Sequence, residues 1–396
     1  MGMFDVNLQS SEQDRSANTR AKLERITKAL NHQEPDRVPI SDFFWGSFKE
    51  RWRRELGLLD DADPYYHYDL DWIVTVPNMD PHIRSFEILS ETDEEVTVKT
   101  GYGAIIRKKF KCPMPEFIGW ETDTLEKLEA FEFDDAFDPR RYFEAGDNQI
   151  AGVGDGFERN SPAWIETVKG LRPDFPVFGS MTECSECLTR LIGQENAFMW
   201  MGLYPERMGE CINRIGQFYL DCTKAQLEAG RGLLDGLVIW GDVAYKSGMF
   251  FSPDYWRQYF KPWVQAMVKL AHENGLLVIY HGCGNVMQIF DDFVELGVDA
   301  YNPLEVKAGM DVGRLRQQYG HQIAFCGGSD IQIWETGDEE AVRQEVLRML
   351  RAAEGGGMIF QSDHSVSASV SGRTYDFIVK LVREYGQYPL NLSERD

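Results

Sequence analysis

The chain has 396 residues, 43% of them hydrophobic and 27% charged, which is a globular composition with ample length for a large core. A formal net charge of −23 and a pI near 4.8 oppose contact with nucleic acid and anionic membrane, so neither is expected as a partner. The cysteines at 112, 184, 187, 211, 222, 283 and 326 are odd in number and scattered, as expected of reduced thiols in a cytoplasmic protein. No apolar run reaches the ~18 residues of a transmembrane helix, and the N-terminus lacks the apolar segment of a signal peptide.

Residues 1–17 read as a flexible, polar N-terminus, followed by a single domain over 18–390. Ala21, Leu23, Ile26, Ala29 and Leu30 predict a helix from about Ser16, stopped near Pro35. Arg37–Asp42 reads as a first short strand, Phe48–Leu58 as a helix and Asp71–Val76 as a second strand. An insertion of about 83–160 follows. In it, Arg84–Ile88, Glu95–Lys99 and Ala104–Phe110 alternate apolar with polar residues and predict an antiparallel hairpin or meander. A helix near 125–131 and Gly-rich loops complete the insertion.

Strands and helices then alternate. Strands are predicted at Phe175–Met181, Leu233–Trp240, Leu276–Tyr280, Asp299–Leu304, Ile323–Phe325 and Met358–Gln361. Helices are predicted between them, including one long helix from Ser252 to Glu273 and a last one over Tyr375–Tyr385. With the two early strands this makes eight strands alternating with helices, the pattern of a (β/α)₈ TIM barrel. Asp80, Glu183, Asp242, His281, Cys283, Glu305, Asp330, Asp363 and His364 fall at the carboxyl ends of these strands, the end where barrels build active sites.

The densest chemistry lies in Leu276–Asn285, LLVIYHGCGN. A continuous apolar run suits a strand buried on both faces, and glycines suit a tight exit. His281 and Cys283 are two apart, so an extended backbone presents an imidazole and a sulfur to one side. They supply two of the three protein ligands of a catalytic zinc site; the plain alternative is a buried thiol beside a hydrogen-bonded histidine. Cys326 and His364 are both candidates for the third ligand. Asp242 and Glu305 are candidates for oxygen ligands, for orienting His281 or for moving protons, and Asp330 joins them as a catalytic candidate. Cys184 and Cys187 have the spacing of a zinc knuckle but no second pair, so they read as buried thiols. Zinc at such a site can polarise an oxygen or hold a thiol as its thiolate, and both uses fit one-carbon transfer.

The chain resembles the uroporphyrinogen decarboxylase superfamily. The resemblance is carried by Arg25–Leu30 with Pro35-Asp36-Arg37-Val38-Pro39, by Gly241-Asp242, by His281–Asn285, by Asn302–Asp311 and by Gly327-Gly328-Ser329-Asp330. It implies a (β/α)₈ barrel. True uroporphyrinogen decarboxylases carry a Met-Arg-Gln-Ala-Gly-Arg segment whose arginines hold substrate carboxylates; here Ser41-Asp42-Phe43-Phe44-Trp45-Gly46 follows the first strand. The resemblance is nearer to the cobalamin-dependent methyltransferases, whose coenzyme M members bind zinc through a His-x-Cys pair and a later Cys. His281 and Cys283 match the pair, whereas Asp363-His364 stands where the later Cys belongs.

The resulting expectation is a zinc-dependent methyltransferase acting with a corrinoid (cobalamin) carried by a partner protein. It would move a methyl group from a methoxylated or methylated small molecule to the corrinoid, or from methylcorrinoid to a thiol. A metal-independent carboxy-lyase of the name-giving type is the first alternative, and a non-catalytic corrinoid- or tetrapyrrole-binding protein is the second. The excursion at 83–120 is a candidate surface for partner docking or for a homodimer.

Overall fold

The computed structural model describes residues 15–83, 87–110, 112, 114–146 and 161–392. Most of the expected N-terminal tail and the Gly-rich stretch at 147–160 therefore lie outside the described residues.

A curled parallel sheet forms the body of the protein. Its strands are β1 (Ile73–Val74), β6 (Val177–Thr182), β7 (Gly236–Trp240), β10 (Leu277–His281), β11 (Ala300–Asn302), β12 (Ala324–Cys326) and β13 (Met358–Ile359), hydrogen-bonded in that order. Each pair is parallel because a helical crossover returns the chain to the same end of the sheet. The numbers β2 to β5 and β8 to β9 belong to two small antiparallel sheets. The architecture is that of a TIM-barrel-like α/β fold.

The expected first strand is a single parallel bridge, Ile40 to Phe360, not a strand. Pro39 has no N–H to donate, and the N–H of Ile40 is taken by the Asp71 carboxylate at 2.7 Å. The segment nonetheless spans the gap between the two ends of the sheet. Phe360 N–H donates to Pro39 O at 2.8 Å, Ser41 N–H to Phe360 O at 3.2 Å, and Asp71 N–H to Ile40 O at 2.9 Å. Asp71 is fully buried and also accepts from Arg25 and from both Nη atoms of Arg37 at 2.7–2.9 Å, so the closure is built on a buried ion cluster.

Inside the curl, Trp72, Phe178, Val238, Ile279, Ala300, Ala324, Cys326 and Ile359 pack together, with Ile26 and Leu30 of the helix Ala17–Leu30 against them. Ser16 caps that helix by accepting from Thr19 N–H, as its position before the periodic run predicts. Outside, the amphipathic helices cover the sheet in one large apolar cluster.

Between β1 and β6 the chain builds the antiparallel meander β2 (Glu87–Glu91), β3 (Glu95–Lys99), β4 (Ala104–Lys109) and β5 (Glu116–Trp120). Val96, Val98, Ala104 and Ile106 bury one face, and Lys99, Arg107 and Lys109 pair with acids. The fourth strand was not expected, because the adjacent apolar pair Phe117-Ile118, where the pairing register shifts, breaks its alternation. A short hairpin, β8 (Ala244–Tyr245) and β9 (Gly248–Met249), follows β7.

The long helix expected over 252–273 is two helices, Pro253–Tyr259 and Lys261–Glu273. Pro262 cannot donate to Gln258 and its ring crowds that carbonyl, which breaks the helix at Phe260. No helix among the described residues is long and apolar enough to cross a membrane.

Candidate functional site

The site grows from the carboxyl ends of β7, β10 and β11. Their registers place Trp240, His281 and Asn302 side by side. After His281 the chain turns at once. Gly282 N–H donates to Asn302 O at 2.8 Å. A Cβ on Gly282 would lie 2.8 Å from Gly241 O. Gly284 has φ +85°, and its added Cβ would meet the Ala244 backbone at 2.6 Å, so both positions require glycine. Two carboxylates hold the turn from either side. Asp242 Oδ1 accepts from Cys283 N–H at 2.8 Å, and Glu305 Oε2 accepts from Gly284 N–H at 2.7 Å.

His281 Nε2 and Cys283 Sγ come to 3.7 Å from each other. Zinc–nitrogen and zinc–sulfur bonds of about 2.05 and 2.3 Å at a tetrahedral angle separate the two ligand atoms by about 3.6 Å. Two overlapping groups surround the pair. Asp242, His281 and Cys283 form one, and Cys283, Glu305 and His364 form the other; within each group the ligand atoms lie within 4.8 Å of one another. Cys283 is common to both. Imidazole nitrogen, thiol sulfur and carboxylate oxygen are the donor types that zinc takes.

The electrostatics favour a cation here. Burial, and then the carboxylates of Asp242, Glu305 and Glu186, push the Cys283 thiol well above its ordinary value, with Lys307 the opposing charge. Asp242 is likewise raised by burial and by Glu305. Burial lowers His281 to about 4, so its imidazole is neutral at pH 7. A divalent cation would stabilise the thiolate and both carboxylates while meeting a neutral imidazole, which needs no deprotonation. The residues present therefore fit a zinc ion.

Of the residues singled out in the sequence, Asp242, His281, Cys283, Glu305 and His364 are thus brought together. Cys326 is not among them. It is fully buried in the barrel interior and its Sγ donates to Gln361 Oε1 at 3.0 Å. Asp330 caps the helix Ile331–Thr336 by accepting from Gln332 N–H, and belongs to neither group. Cys184 and Cys187 are buried on the helix Cys184–Ile192, where burial raises both thiols.

Three neighbours were missed as site residues. Asn302 Oδ1 lies 2.6 Å from His281 Nδ1, the place expected for Asp242 or Glu305. Its signal was the register of its strand against His281. Glu186 sits one turn into a helix, pairs with Arg190 at 3.1 Å and contributes charge to Cys283 and His281. Glu183, noted only as a strand-end acid, is fully buried. It accepts from Tyr280 OH and from Trp256 Nε1, and burial raises it to about 7.

A barrel with ionisable groups gathered at its strand ends belongs to the class of barrel enzymes. The family model for uroporphyrinogen decarboxylase (URO-D) matches residues 155–385, and the chain belongs to that family. No curated protein matches the chain. Among solved structures, a methyltransferase from Methanosarcina mazei is similar with a TM-score of 0.62 at 16% identity, over 92% of this chain and 98% of that one. A B12-independent methionine synthase from Shewanella sp. W3-18-1 aligns with a TM-score of 0.43 at 8% identity, over 90% of this chain and 96% of that one. At 16% identity the likeness to the Methanosarcina mazei protein is one of fold.

Proposed function

We propose that the protein is a zinc-dependent methyltransferase working with a corrinoid carried on a separate protein. The observation that carries this reading is the His281–Cys283 pair at zinc-ligand separation, inside a group whose charge calls for a cation. His281 Nε2 and Cys283 Sγ would hold the metal, with the third ligand coming from Asp242, which shares their group, or from His364, which shares the second group with Cys283. Cys326, a further candidate in the sequence, is turned into the barrel core. Bound zinc would polarise an ether oxygen or keep a substrate thiol deprotonated. Asp242 and Glu305 would hold the turn that presents Cys283, through its own N–H and that of Gly284.

The carboxy-lyase alternative needs cationic side chains at the barrel mouth to hold a polycarboxylate. Around the pair the nearest charges are Asp242, Glu305 and Glu186, and the two cations close by, Arg190 and Lys307, are engaged by Glu186 and Glu305. That balance supports methyl transfer over polycarboxylate binding. The non-catalytic carrier reading gives no role to the paired ligands. The reading implies a small-molecule methyl donor or thiol acceptor, a corrinoid protein as partner and a cytoplasmic setting.

The test is methyl transfer with free methylcobalamin as a stand-in for the partner's cofactor, against a panel of thiols and of methyl ethers. Zinc-loaded wild type should turn over at least one member, and Cys283→Ala should turn over none. Activity towards no thiol or ether, with decarboxylation of a polycarboxylate instead, would replace this reading with the lyase.

A further inference from the structure

We infer that Asn302 is a positioning residue that sets the tautomer of His281 and so aims an unprotonated Nε2 at Cys283. The inference rests on the zinc reading above and deepens it. Asn302 is fully buried at the end of β11, directly beside His281 in the parallel register. Its side-chain amide stands between two groups that can be told apart. Nδ2 donates to the main-chain carbonyl of Cys326 at 2.7 Å, and Oδ1 lies 2.6 Å from His281 Nδ1. A main-chain carbonyl only accepts. Turning the amide over would put two oxygens at 2.7 Å, so the carbonyl of Cys326 fixes which end faces the histidine. Gln361 adds a second restraint. Its Oε1 accepts from the Cys326 thiol at 3.0 Å and lies 3.4 Å from Asn302 Nδ2.

Oδ1 carries no proton, so the 2.6 Å contact requires the ring proton on Nδ1. Nε2 then keeps its lone pair and points toward Cys283 Sγ at 3.7 Å. The opposite tautomer would set two lone pairs against each other at Asn302 and a ring proton where the metal would bind. Trp240 and Phe43 meet the imidazole edge-on, with centroids 4.6 and 6.1 Å away. Cys326, a ligand candidate from the sequence, thus acts in the site through its carbonyl oxygen. The acceptor is a neutral amide where many metal-bound histidines have a carboxylate. In a group already rich in carboxylates, it orients the ring without adding another negative charge.

The experiment uses metal-free protein labelled with ¹⁵N-histidine, the His281 signal being assigned by its loss in His281→Ala. Wild type should give the Nδ1–H tautomer alone. Asn302→Asp, buried and protonated on the oxygen that faces the Cys326 carbonyl, keeps an accepting oxygen against Nδ1 and should retain it, whereas Asn302→Leu should show a mixture or the Nε2–H form. In parallel, competition with a chromophoric chelator should show zinc binding weakened about 10–100-fold in Asn302→Leu and within a few fold of wild type in Asn302→Asp. Wild-type His281 protonated on Nε2 overturns the inference, and that measurement needs no Asn302 variant to fold. So does Asn302→Leu that melts like wild type and keeps both tautomer and affinity. Absence of zinc binding in wild type with the Nδ1–H tautomer intact would sink the zinc reading and leave the positioning role standing.

Discussion

Cys283 differs from the other buried thiols in its surroundings. Cys326 meets apolar side chains and the amides of Gln361 and Asn302, whereas Cys283 meets Asp242, Glu305 and Glu186. Substituting Cys326 by Ser should therefore leave zinc content unchanged, while Cys283→Ser should reduce it severely; elemental analysis of the two purified variants decides. The His-x-Cys pair was legible because period-two geometry alone puts the residues on one side of a strand. The choice between Cys326 and His364 was not, because it depends on which way a strand-end side chain turns, and the Gln361 acceptor that turns Cys326 inward lies 35 residues away. Glu183 gives a second residue-level test. Its folded value near 7 lies above the ordinary 4.5, so folding binds a proton between them. The stability it contributes is full below about pH 4.5 and is lost as pH rises through 7. Glu183→Gln removes that dependence. Between pH 5 and pH 8 wild type should lose about 2 kcal/mol relative to the variant, measured as urea midpoints at each pH. Equal pH profiles would rule it out.

The turn after β10 is the element on which the site depends. Gly284 adopts φ +85° with the Ala244 backbone against the position of a Cβ. Gly284→Ala should cost about 1–3 kcal/mol and displace Cys283, lowering both melting temperature and zinc affinity. An alanine variant with wild-type melting and affinity would show the turn to be more tolerant than its geometry implies. The glycines signalled this turn in the sequence. The break of the helical stretch at Phe260 was equally available from Pro262, but the strong cap at Ser252 and the continuous amphipathic pattern masked it. Conversely, β1, β12 and β13 have only two or three residues each, and propensity alone would pass over such strands. It was the regular spacing of apolar runs between helices that exposed them.

Closure of the sheet depends on charge as much as on strand pairing. Asp71 receives Arg25, Arg37 and the Ile40 N–H in a buried cluster that ties the segment before β1 to the helix Ala17–Leu30. Arg25 and Arg37 were visible only as parts of a family motif; nothing in their local spacing named Asp71, because the cluster spans 46 residues. Asp71→Ala leaves buried Arg37 without its carboxylate and Arg25 with Asp36 alone, and should destabilise the protein by about 3–5 kcal/mol, read as a lowered urea midpoint with unchanged slope. A loss under 1 kcal/mol would show that closure rests on packing alone. The barrel architecture was recoverable because alternation repeats along the chain. The grouping of Asp242, His281, Cys283, Glu305 and His364 followed only as far as their shared position at strand ends.

The metal itself is the decisive quantity. Protein purified without added metal, and again after zinc is offered under reducing conditions, should contain about one zinc per chain, and His281→Ala/Cys283→Ala should contain none. Wild-type protein that takes up no zinc under either condition, or a double variant that retains it, would contradict a zinc centre on His281 and Cys283.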